Sequence, residues 1–182
     1  MDFVEALAEL ETNDDLHEAR LLVLLDAFAG KDGQGEIEGL TKVAKLDFLL
    51  RYPALLEKAL LVRHASIKAL DVKPHERNSV ESKMVRYRFG PWDHRYRRFL
   101  NLLMGKELIT IRFEGRTVNV GLTPKGKEKS AEVRSQPEFE DFARRARVLK
   151  SHLDLGATHL MRFVYSTFPE LESLRMNEGI SL

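Results

Sequence analysis

The side chains best suited to binding chemistry lie between Lys83 and Arg98, where arginine residues alternate with aromatic residues. This stretch contains six basic residues and one acidic residue, Asp93. Guanidinium groups bind phosphates and carboxylates, and aromatic rings stack on bases or fill pockets of a partner protein. Together with the helix and hairpin predicted to follow, the candidate binding residues are Arg86, Arg88, Trp92, Arg95, Arg97, Arg98, Asn101, Arg112 and Arg116. Three interpretations are open: contacts with nucleic acid, contacts with a partner protein, and a solvated basic surface.

Residue patterns typical of catalysis or metal binding are weak in this sequence. The six histidines show no H-E-x-x-H motif or other metal-ligand spacing. The lack of cysteine excludes disulfides, thiolate metal sites and a cysteine nucleophile. No serine lies in a G-x-S-x-G turn, and the glycine-rich residues 30–39 lack the order of a phosphate-binding P-loop. We therefore predict a protein that is not an enzyme and uses no cofactor or metal.

The composition is that of a soluble globular protein with almost no net charge. The 182 residues are 43% hydrophobic and 31% charged, and the formal net charge is +1. Any electrostatic attraction to nucleic acid must therefore be local. No apolar stretch reaches the roughly 18 residues that a membrane-spanning helix needs, so we expect a cytoplasmic protein without a membrane partner.

Three segments are predicted along the chain: an acidic N-terminal helical segment over 1–38, a core over 39–135, and C-terminal helices over 136–182 that pack on the core. Residues 2–18 contain seven acidic residues and no Lys or Arg. This charge is complementary to that of the basic stretch. The complementarity gives the hypothesis that the N-terminal segment covers the basic surface until a complex assembles.

The first strong helix signal follows a group of capping residues. A helix is predicted from an N-cap among Asn13, Asp14 and Asp15 to a stop at Gly30. Its run LLVLLDAFA is apolar almost all round, which indicates burial at the centre of a bundle or in an interface. The glycine-rich residues 30–39 after it are predicted to form a loop.

Two further helices are predicted on either side of Tyr52, because the residue before a proline is disfavoured in the helical region. Thr41 is the predicted cap of the first helix. The second is expected to extend to about Leu70. The polar residues 71–82 then form a predicted surface connection.

The β signals lie in the second half of the chain. Residues 84–89 form a strand-like run, and ITIRFEGRTVNVGL predicts a hairpin with its turn at Glu114 and Gly115. The alternation in the first strand predicts three inward-facing side chains: Ile109, Ile111 and Phe113.

Proline and glycine residues bound the predicted C-terminal helices. Thr123 followed by Pro124 is typical of an N-cap with proline at the first helical position. A second helix begins at Pro137, and a last one lies between Gly156 and Pro169. The helix from Pro137 has an apolar face, and four basic residues lie elsewhere on it: Arg144, Arg145, Arg147 and Lys150.

The order helix, strand, helix, two-stranded hairpin, helix is that of a winged helix-turn-helix. Residues 93–105 would be the recognition helix and residues 112–118 the wing. We therefore predict a mainly α fold with a small β-wing: a winged helix-turn-helix core with extra N- and C-terminal helices. In a major groove, Arg95, Arg98 and Asn101 would face outward, and Arg112 and Arg116 would contact phosphates.

Three phrases of the sequence resemble a known family. They are LTKVAKLDFLLRYPALLEKAL, then VRYRFGPWDHRYRRFLNLLMGKELI with LTPKGKEKSA, and LMRFVYSTFPEL. They are similar to the small middle components of bacterial ABC three-component anti-phage systems, including the third subunit of Lamassu-type defence. The resemblance covers about residues 40–171 and does not account for the acidic N-terminal segment.

The resemblance implies a non-catalytic accessory subunit of an SMC-like ATPase complex that acts against phages or plasmids. Such a subunit would bridge a coiled-coil ATPase and an effector nuclease, with a contact to double-stranded DNA left open. ATP binding would belong to the partner. The recognition helix and wing alone leave an alternative, a dimeric winged-helix DNA-binding transcriptional regulator.

Overall fold

Helices dominate the computed structural model, which describes residues 13–77, 95–169 and 171. The helices are α1 (Asp14–Ala29), α2 (Leu40–Arg51), α3 (Pro53–Val62), α4 (Pro74–Arg77), α5 (Arg95–Gly105), α6 (Pro124–Arg134), α7 (Glu140–Leu153) and α8 (Ala157–Thr167). Short 3₁₀ turns span Lys68–Leu70 and Pro137–Phe139. The strands β1 (Ile37–Glu38), β2 (Ile109–Glu114) and β3 (Thr117–Leu122) form an antiparallel sheet in the order β1–β3–β2. The prediction of a mainly α fold with a small β component is confirmed.

Helix α1 is the central element of the described residues. The Asn13 side chain accepts a hydrogen bond from the Leu16 amide (3.1 Å). The negative charges of Asp14 and Asp15 in the first turn stabilise the helix by interacting with the positive end of its dipole. The helix packs against α2, α5, α6, α7 and β3, which explains why it is apolar on nearly every side. It ends at Gly30, whose φ of 73° suits glycine. The predicted cap, stop and burial are confirmed.

Helices α2 and α3 meet at Tyr52, as the sequence predicts. The prediction of Thr41 as the cap of α2 is wrong, because Gly39 occupies the N-cap position and Thr41 lies inside the first turn. Residues 42–50 are all buried, so α2 is surrounded by other elements rather than packed on one face. No helix in residues 13–77 and 95–169 is both long and apolar enough to cross a bilayer.

Helix α3 ends eight residues earlier than predicted. His64 adopts a left-handed conformation (φ 54°), and the Ala65 amide donates back to the Leu60 carbonyl (2.9 Å). This is the hydrogen-bond pattern of a Schellman motif, which usually places glycine at the left-handed position. Because histidine occupies it here, the sequence carried no stop signal, and the prediction of a helix to about Leu70 is wrong.

The glycine-rich residues 30–39 are not entirely a loop. They contain β1, whose Ile37 pairs with Val120 and is fully buried. A two-residue strand is too short to produce an alternating pattern, so the loop prediction is wrong at this point. Residues 71–77 likewise contain the short helix α4 within the predicted surface connection. The strand-like run at 84–89 lies outside the described residues.

The predicted hairpin is present, but its two-residue turn consists of Gly115 and Arg116, one residue later than predicted, because Glu114 pairs with Thr117 in the strands. Gly115 in this turn has a φ of 60°, which favours glycine. Burial decreases along β2: Ile109 is buried, Ile111 is half-buried, and Phe113 is 74% exposed. The prediction that Phe113 faces the core is wrong, because the hairpin tip extends beyond the body that it would pack against.

The start of α6 is tied to the turn between α5 and β2. The Thr123 side chain accepts from the Gly126 amide (2.9 Å), which confirms it as the N-cap. Its hydroxyl also donates to the Glu107 carbonyl (2.7 Å), and its amide donates to the Leu108 carbonyl (3.1 Å). Three hydrogen bonds therefore fix where α6 leaves the hairpin.

Arg145 on α7 is buried, with 3% of its surface exposed, although it lies off the predicted apolar face. Its guanidinium donates to both carboxylate oxygens of Glu76 (2.8 and 2.7 Å) and to the Leu70 carbonyl (3.1 Å). Because its donors are satisfied, the charge can be tolerated in the interior. Arg145 thereby anchors the chain between α3 and α4 to α7.

Because of the ion pair between Arg145 and Glu76, we expect the thermal stability of the protein to decrease at acidic pH. Burial disfavours the charged form of Glu76, but hydrogen bonds from Arg145 outweigh it and lower the pKa of Glu76. A carboxyl whose pKa is lower in the folded state stabilises the fold above its unfolded pKa, about 4.3, and this contribution is lost as the pH falls through the folded pKa. Between pH 5 and 2, the Tm of the wild type should therefore converge on that of Glu76→Gln. Parallel Tm curves, measured by circular dichroism, would contradict this.

Candidate partner and nucleic-acid interface

Helix α5 presents one buried and one exposed side. The buried side chains pack into the core: Phe99, Leu100 and Leu103. The exposed ones lie on the opposite side at helical spacing: Arg97, Arg98, Asn101 and Met104. The hairpin follows α5 directly, with Lys106 between them. We call the exposed residues of α5, Lys106 and the hairpin the α5–hairpin surface.

The structure places five of the predicted binding residues on this surface. The exposed ones are Arg97, Arg98, Asn101, Arg112 and Arg116. Arg95 is partly buried, and its guanidinium carbon lies 5.9 Å from the centre of the Phe99 ring. Arg95 therefore packs near Phe99 in the first turn of α5, whereas the sequence predicted that its side chain would face outward. Three predicted residues lie outside the described residues: Arg86, Arg88 and Trp92.

A buried polar cluster holds the N-terminal end of α5. Asp47 of α2 accepts hydrogen bonds from Nε and Nη2 of Arg20 on α1 (2.6 and 2.8 Å). The Tyr96 hydroxyl of α5 donates to the same carboxylate (2.6 Å), and His17 Nδ1 lies 3.0 Å from Arg20 Nη2. The His17 ring also stacks on Phe99 with ring centres 4.8 Å apart. The cluster therefore fixes α5 against α1 and α2.

Electrostatics in this cluster favour the ion pair. Burial disfavours the charged form of Asp47, but the adjacent Arg20 guanidinium outweighs it and holds the pKa of Asp47 below its usual range. Burial and the Asp47 carboxylate together raise the pKa of Tyr96 well above its usual range, so its hydroxyl remains a donor. This cluster was not predicted from the sequence. Its signal was a single charge inside each of two apolar runs, ARLLVLL and LDFLL.

Carboxylates of α1 neutralise cations of the α5–hairpin surface. Arg98 donates to Asp14 (2.5 Å), and Lys106 donates to Glu18 (2.7 Å) with Asp15 at 3.6 Å. The hydrogen bond to Glu18 raises the pKa of Lys106. The first turns of α1 therefore supply counter-charges along α5.

A further intrachain carboxylate, from the residue before β1, reaches the hairpin. Both oxygens of Glu36 accept from Arg112, at 2.9 Å from Nε and 2.5 Å from Nη2. The hydrogen bond lowers the pKa of Glu36 and raises that of Arg112. Glu36 crosses the middle strand at Gly121, where a Cβ would lie 2.9 Å from the Glu36 Cγ. A glycine at this position leaves the space that Glu36 occupies.

The hairpin tip carries an exposed aromatic ring between cations. Phe113 has Arg112 beside it in the strand, and Arg116 lies in the turn. Neither Arg97 nor Arg116 forms an ion pair with another described residue. Exposed aromatic residues next to arginine are typical of protein interaction hot spots.

A separate cleft lies at the C-terminal end of α1 and has a volume of about 390 Å³. Its charged lining comprises Asp26, Lys31, Arg134 and Arg147. Arg134 pairs with Asp26 at 3.0 Å. Asp26 and the carbonyl end of α1 supply negative charge in the cleft and compensate part of its positive charge.

The exposed groups of the α5–hairpin surface that can bind a partner include guanidinium, amide and aromatic side chains. Within the described ranges, no group of three or more His, Asp or Glu side chains is placed to hold a metal ion. Comparison of this chain with protein-family models, curated proteins and solved structures finds no match.

Proposed function

We propose that this chain is a non-catalytic accessory subunit of an SMC-like ATPase complex that acts against phages or plasmids in the bacterial cytoplasm. It would bridge the coiled-coil ATPase and an effector nuclease, using the α5–hairpin surface of a winged-helix core. The resemblance of three phrases to the small middle components of such systems motivates the proposal. The fold and the surface described above add physical support.

The arrangement of the sheet supports the winged-helix assignment. Helix α5 leads directly into the β2–β3 hairpin, as a recognition helix leads into a wing. The short strand β1 lies between α1 and α2 in the chain and pairs with β3, so the sheet order is β1–β3–β2. The hairpin thus extends outward from a sheet that is attached to the helical core.

The observation that carries the proposed interface is the exposure of Phe113. A phenylalanine that is 74% exposed contributes little to the core of this chain. Its burial against a partner would remove a large apolar area from water, and Arg116 in the adjacent turn would add a charged contact. This combination favours a protein partner at the hairpin tip.

We expect the double variant Phe113→Ser/Arg116→Glu to lose its partner while it keeps its fold, because both side chains are exposed. A tagged chain should be expressed with its native genomic neighbours and purified at moderate salt, with mass spectrometry of the recovered proteins. The wild type should recover a coiled-coil ATPase in stoichiometric amount. The variant should recover at least about tenfold less, since loss of a hot-spot residue costs about 2 kcal/mol or more.

The matched control is Leu61→Ser on α3, an exposed apolar residue away from the hairpin (54% exposed). It should recover as much ATPase as the wild type. Equal recovery by the hairpin variant would exclude this interface, and a wild-type chain that purifies alone would exclude the proposed subunit.

The alternative of a dimeric transcriptional regulator is favoured by a different observation. Arg97 and Asn101 lie one helical turn apart on the exposed side of α5. Arginine pairs with guanine and asparagine with adenine in the major groove. A dimer would protect a palindromic site with half-sites about one DNA turn apart. Footprinting of the purified chain on its own promoter tests this, and protection that is only non-specific at every salt concentration would reject it.

A further inference from the structure

We propose that Asp14, Glu18 and Glu36 act as internal substitutes for phosphate groups on the α5–hairpin surface. The isolated chain then binds double-stranded nucleic acid weakly, and its affinity increases when these carboxylates are withdrawn. The inference rests on the proposed function for the binding surface alone, and it assigns double-stranded nucleic acid to the α5–hairpin surface as a further, regulated ligand.

The first two carboxylates occupy cations at both ends of α5. Asp14 pairs with Arg98 (2.5 Å) and Glu18 with Lys106 (2.7 Å). These two cations are eight residues apart, which corresponds to about 12 Å along a helix. Both cations remain about half exposed or more in spite of their ion pairs. A polyanion that approaches this side of α5 therefore meets cations whose charge is already compensated.

The third carboxylate is held on the hairpin by the backbone. Pairing of β1 with β3 places Glu36 beside Gly121, and its side chain crosses that glycine to reach Arg112 on β2. The Glu36 side chain is mostly buried, whereas that of Arg112 is mostly exposed. The Glu36 carboxylate thus contacts the Arg112 guanidinium from the protein interior, and the other side of the guanidinium faces solvent. The mutual pKa shifts of Glu36 and Arg112 agree with a persistent ion pair.

The charges of this surface balance. Residues 95–122 contain six Lys or Arg residues and two Glu residues. Asp14, Asp15, Glu18 and Glu36 pair with three of these cations, so the formal charges of the surface sum to zero, although Arg97 and Arg116 form no ion pair with another described residue. Affinity for the DNA backbone depends on the release of counterions from phosphates that cations neutralise. When the three paired cations contact phosphates, few counterions are released, so we expect a weak affinity whose salt dependence comes mainly from Arg97 and Arg116.

The test is the triple variant Asp14→Asn/Glu18→Gln/Glu36→Gln. Its affinity for a fluorescent 30-base-pair duplex should be compared with that of the wild type by anisotropy between 50 and 200 mM salt. We expect an increase on the order of tenfold at the lowest salt concentration. Removal of the closest carboxylate from three cations should also steepen the slope of log affinity against log salt by up to about 3, since each phosphate contact contributes about 0.9. Asp15 and Glu114 still lie 3.6 and 3.5 Å from Lys106 and Arg112, so the change should stay below that value.

A charge-matched control separates a local effect from one of net charge. The variant Glu128→Gln/Glu138→Gln/Glu140→Gln removes the same charge from exposed positions in residues 128–140. Its affinity should rise much less. In addition, Arg98→Gln/Lys106→Gln/Arg112→Gln in the background of the triple variant should abolish the gain. Equal gains in test and control variants, or no gain in the test variant, would overturn the inference.

Two further results keep the test decisive. If the triple variant is too unstable to be folded under the assay conditions, Glu36→Gln alone should still steepen the slope of log affinity against log salt by about 1. Its partner Arg112 is exposed and can then contact a phosphate. If the wild type recovers its ATPase but no carboxylate variant gains affinity, the inference fails and the proposed subunit stands. If the variants gain affinity but no ATPase is recovered, the subunit fails and the intrachain competition stands.

Discussion

Replacement of Asp47 by alanine is expected to lower the free energy of unfolding by about 3–5 kcal/mol. The Asp47 carboxylate is fully buried and accepts two hydrogen bonds from Arg20 and one from Tyr96. Without it, the Arg20 guanidinium, itself almost completely buried, keeps its charge in the interior without a counter-ion. The Tyr96 hydroxyl also loses its acceptor, and an unsatisfied buried donor adds to the cost.

Urea unfolding at pH 7, followed by circular dichroism, measures this effect. Asp47→Asn should be less damaging than Asp47→Ala, because an amide oxygen can still accept from Tyr96 or Arg20. The control is Lys129→Ala, which removes one partner of an exposed ion pair with Glu132 and should change stability by less than about 0.5 kcal/mol. The cluster would be irrelevant to stability if Asp47→Ala and Lys129→Ala gave similar results.

The second large effect is expected at Gly126, in the first turn of α6. A Cβ at this position would lie 1.8 Å from the Leu108 carbonyl oxygen, which belongs to the backbone and cannot rotate away. Overpacking usually costs 1–3 kcal/mol, and displacement of α6 would also break the Thr123 cap, worth about 1 kcal/mol. We therefore expect Gly126→Ala to destabilise the fold by about 3 kcal/mol or more.

Gly105 provides the matched control for this substitution. It ends α5, and a Cβ there would meet no atom within 4 Å. Gly105→Ala should therefore stabilise the protein by about 0.4–1 kcal/mol, because alanine restricts the unfolded chain. Urea unfolding of both variants should show shifts of opposite sign. Shifts of the same sign would mean that the contact with Leu108 does not explain the glycine.

Features that depend on neighbouring residues were predictable from the sequence. The Asn13 cap of α1, the break at Tyr52 and the Thr123 cap of α6 each follow from the chemistry of a few adjacent residues. The hairpin was also predictable, because its turn contains glycine and its strands alternate, but its turn lies one residue later than predicted. These signals are local, so tertiary packing had little opportunity to override them.

Features that depend on distant partners were not predictable. Strand β1 exists because β3 pairs with it across more than 80 residues of chain. Arg145 is buried because Glu76 and two carbonyls are brought to it by the segment that follows α3. The exposure of Phe113 depends on how far the hairpin extends beyond the core. In each case the local pattern was compatible with more than one environment.

The contacts of the candidate binding surface also include some that were predictable from the sequence and some that were not. The arginine-rich composition identified Arg97, Arg98, Arg112 and Arg116, all of which are exposed. The sequence also suggested that acidic N-terminal residues would be attracted to this region. It could not show that Glu36 would reach Arg112, because that contact requires the β1–β3 pairing and the space at Gly121.

The hydrogen bonds between Thr123 and the turn before β2 also have a consequence for the order of folding. They close a loop of about 15 residues, so α5, the hairpin and the start of α6 form a unit whose contacts are close in sequence. Such contacts lose little chain entropy on closure and form early. Asp14, Glu18 and Glu36 join from the other half of the chain, at separations of 76 to 88 residues. On refolding from denaturant, we therefore expect the contacts within α5, the hairpin and the start of α6 to close before the counter-charges of α1 and the residue preceding β1 reach them.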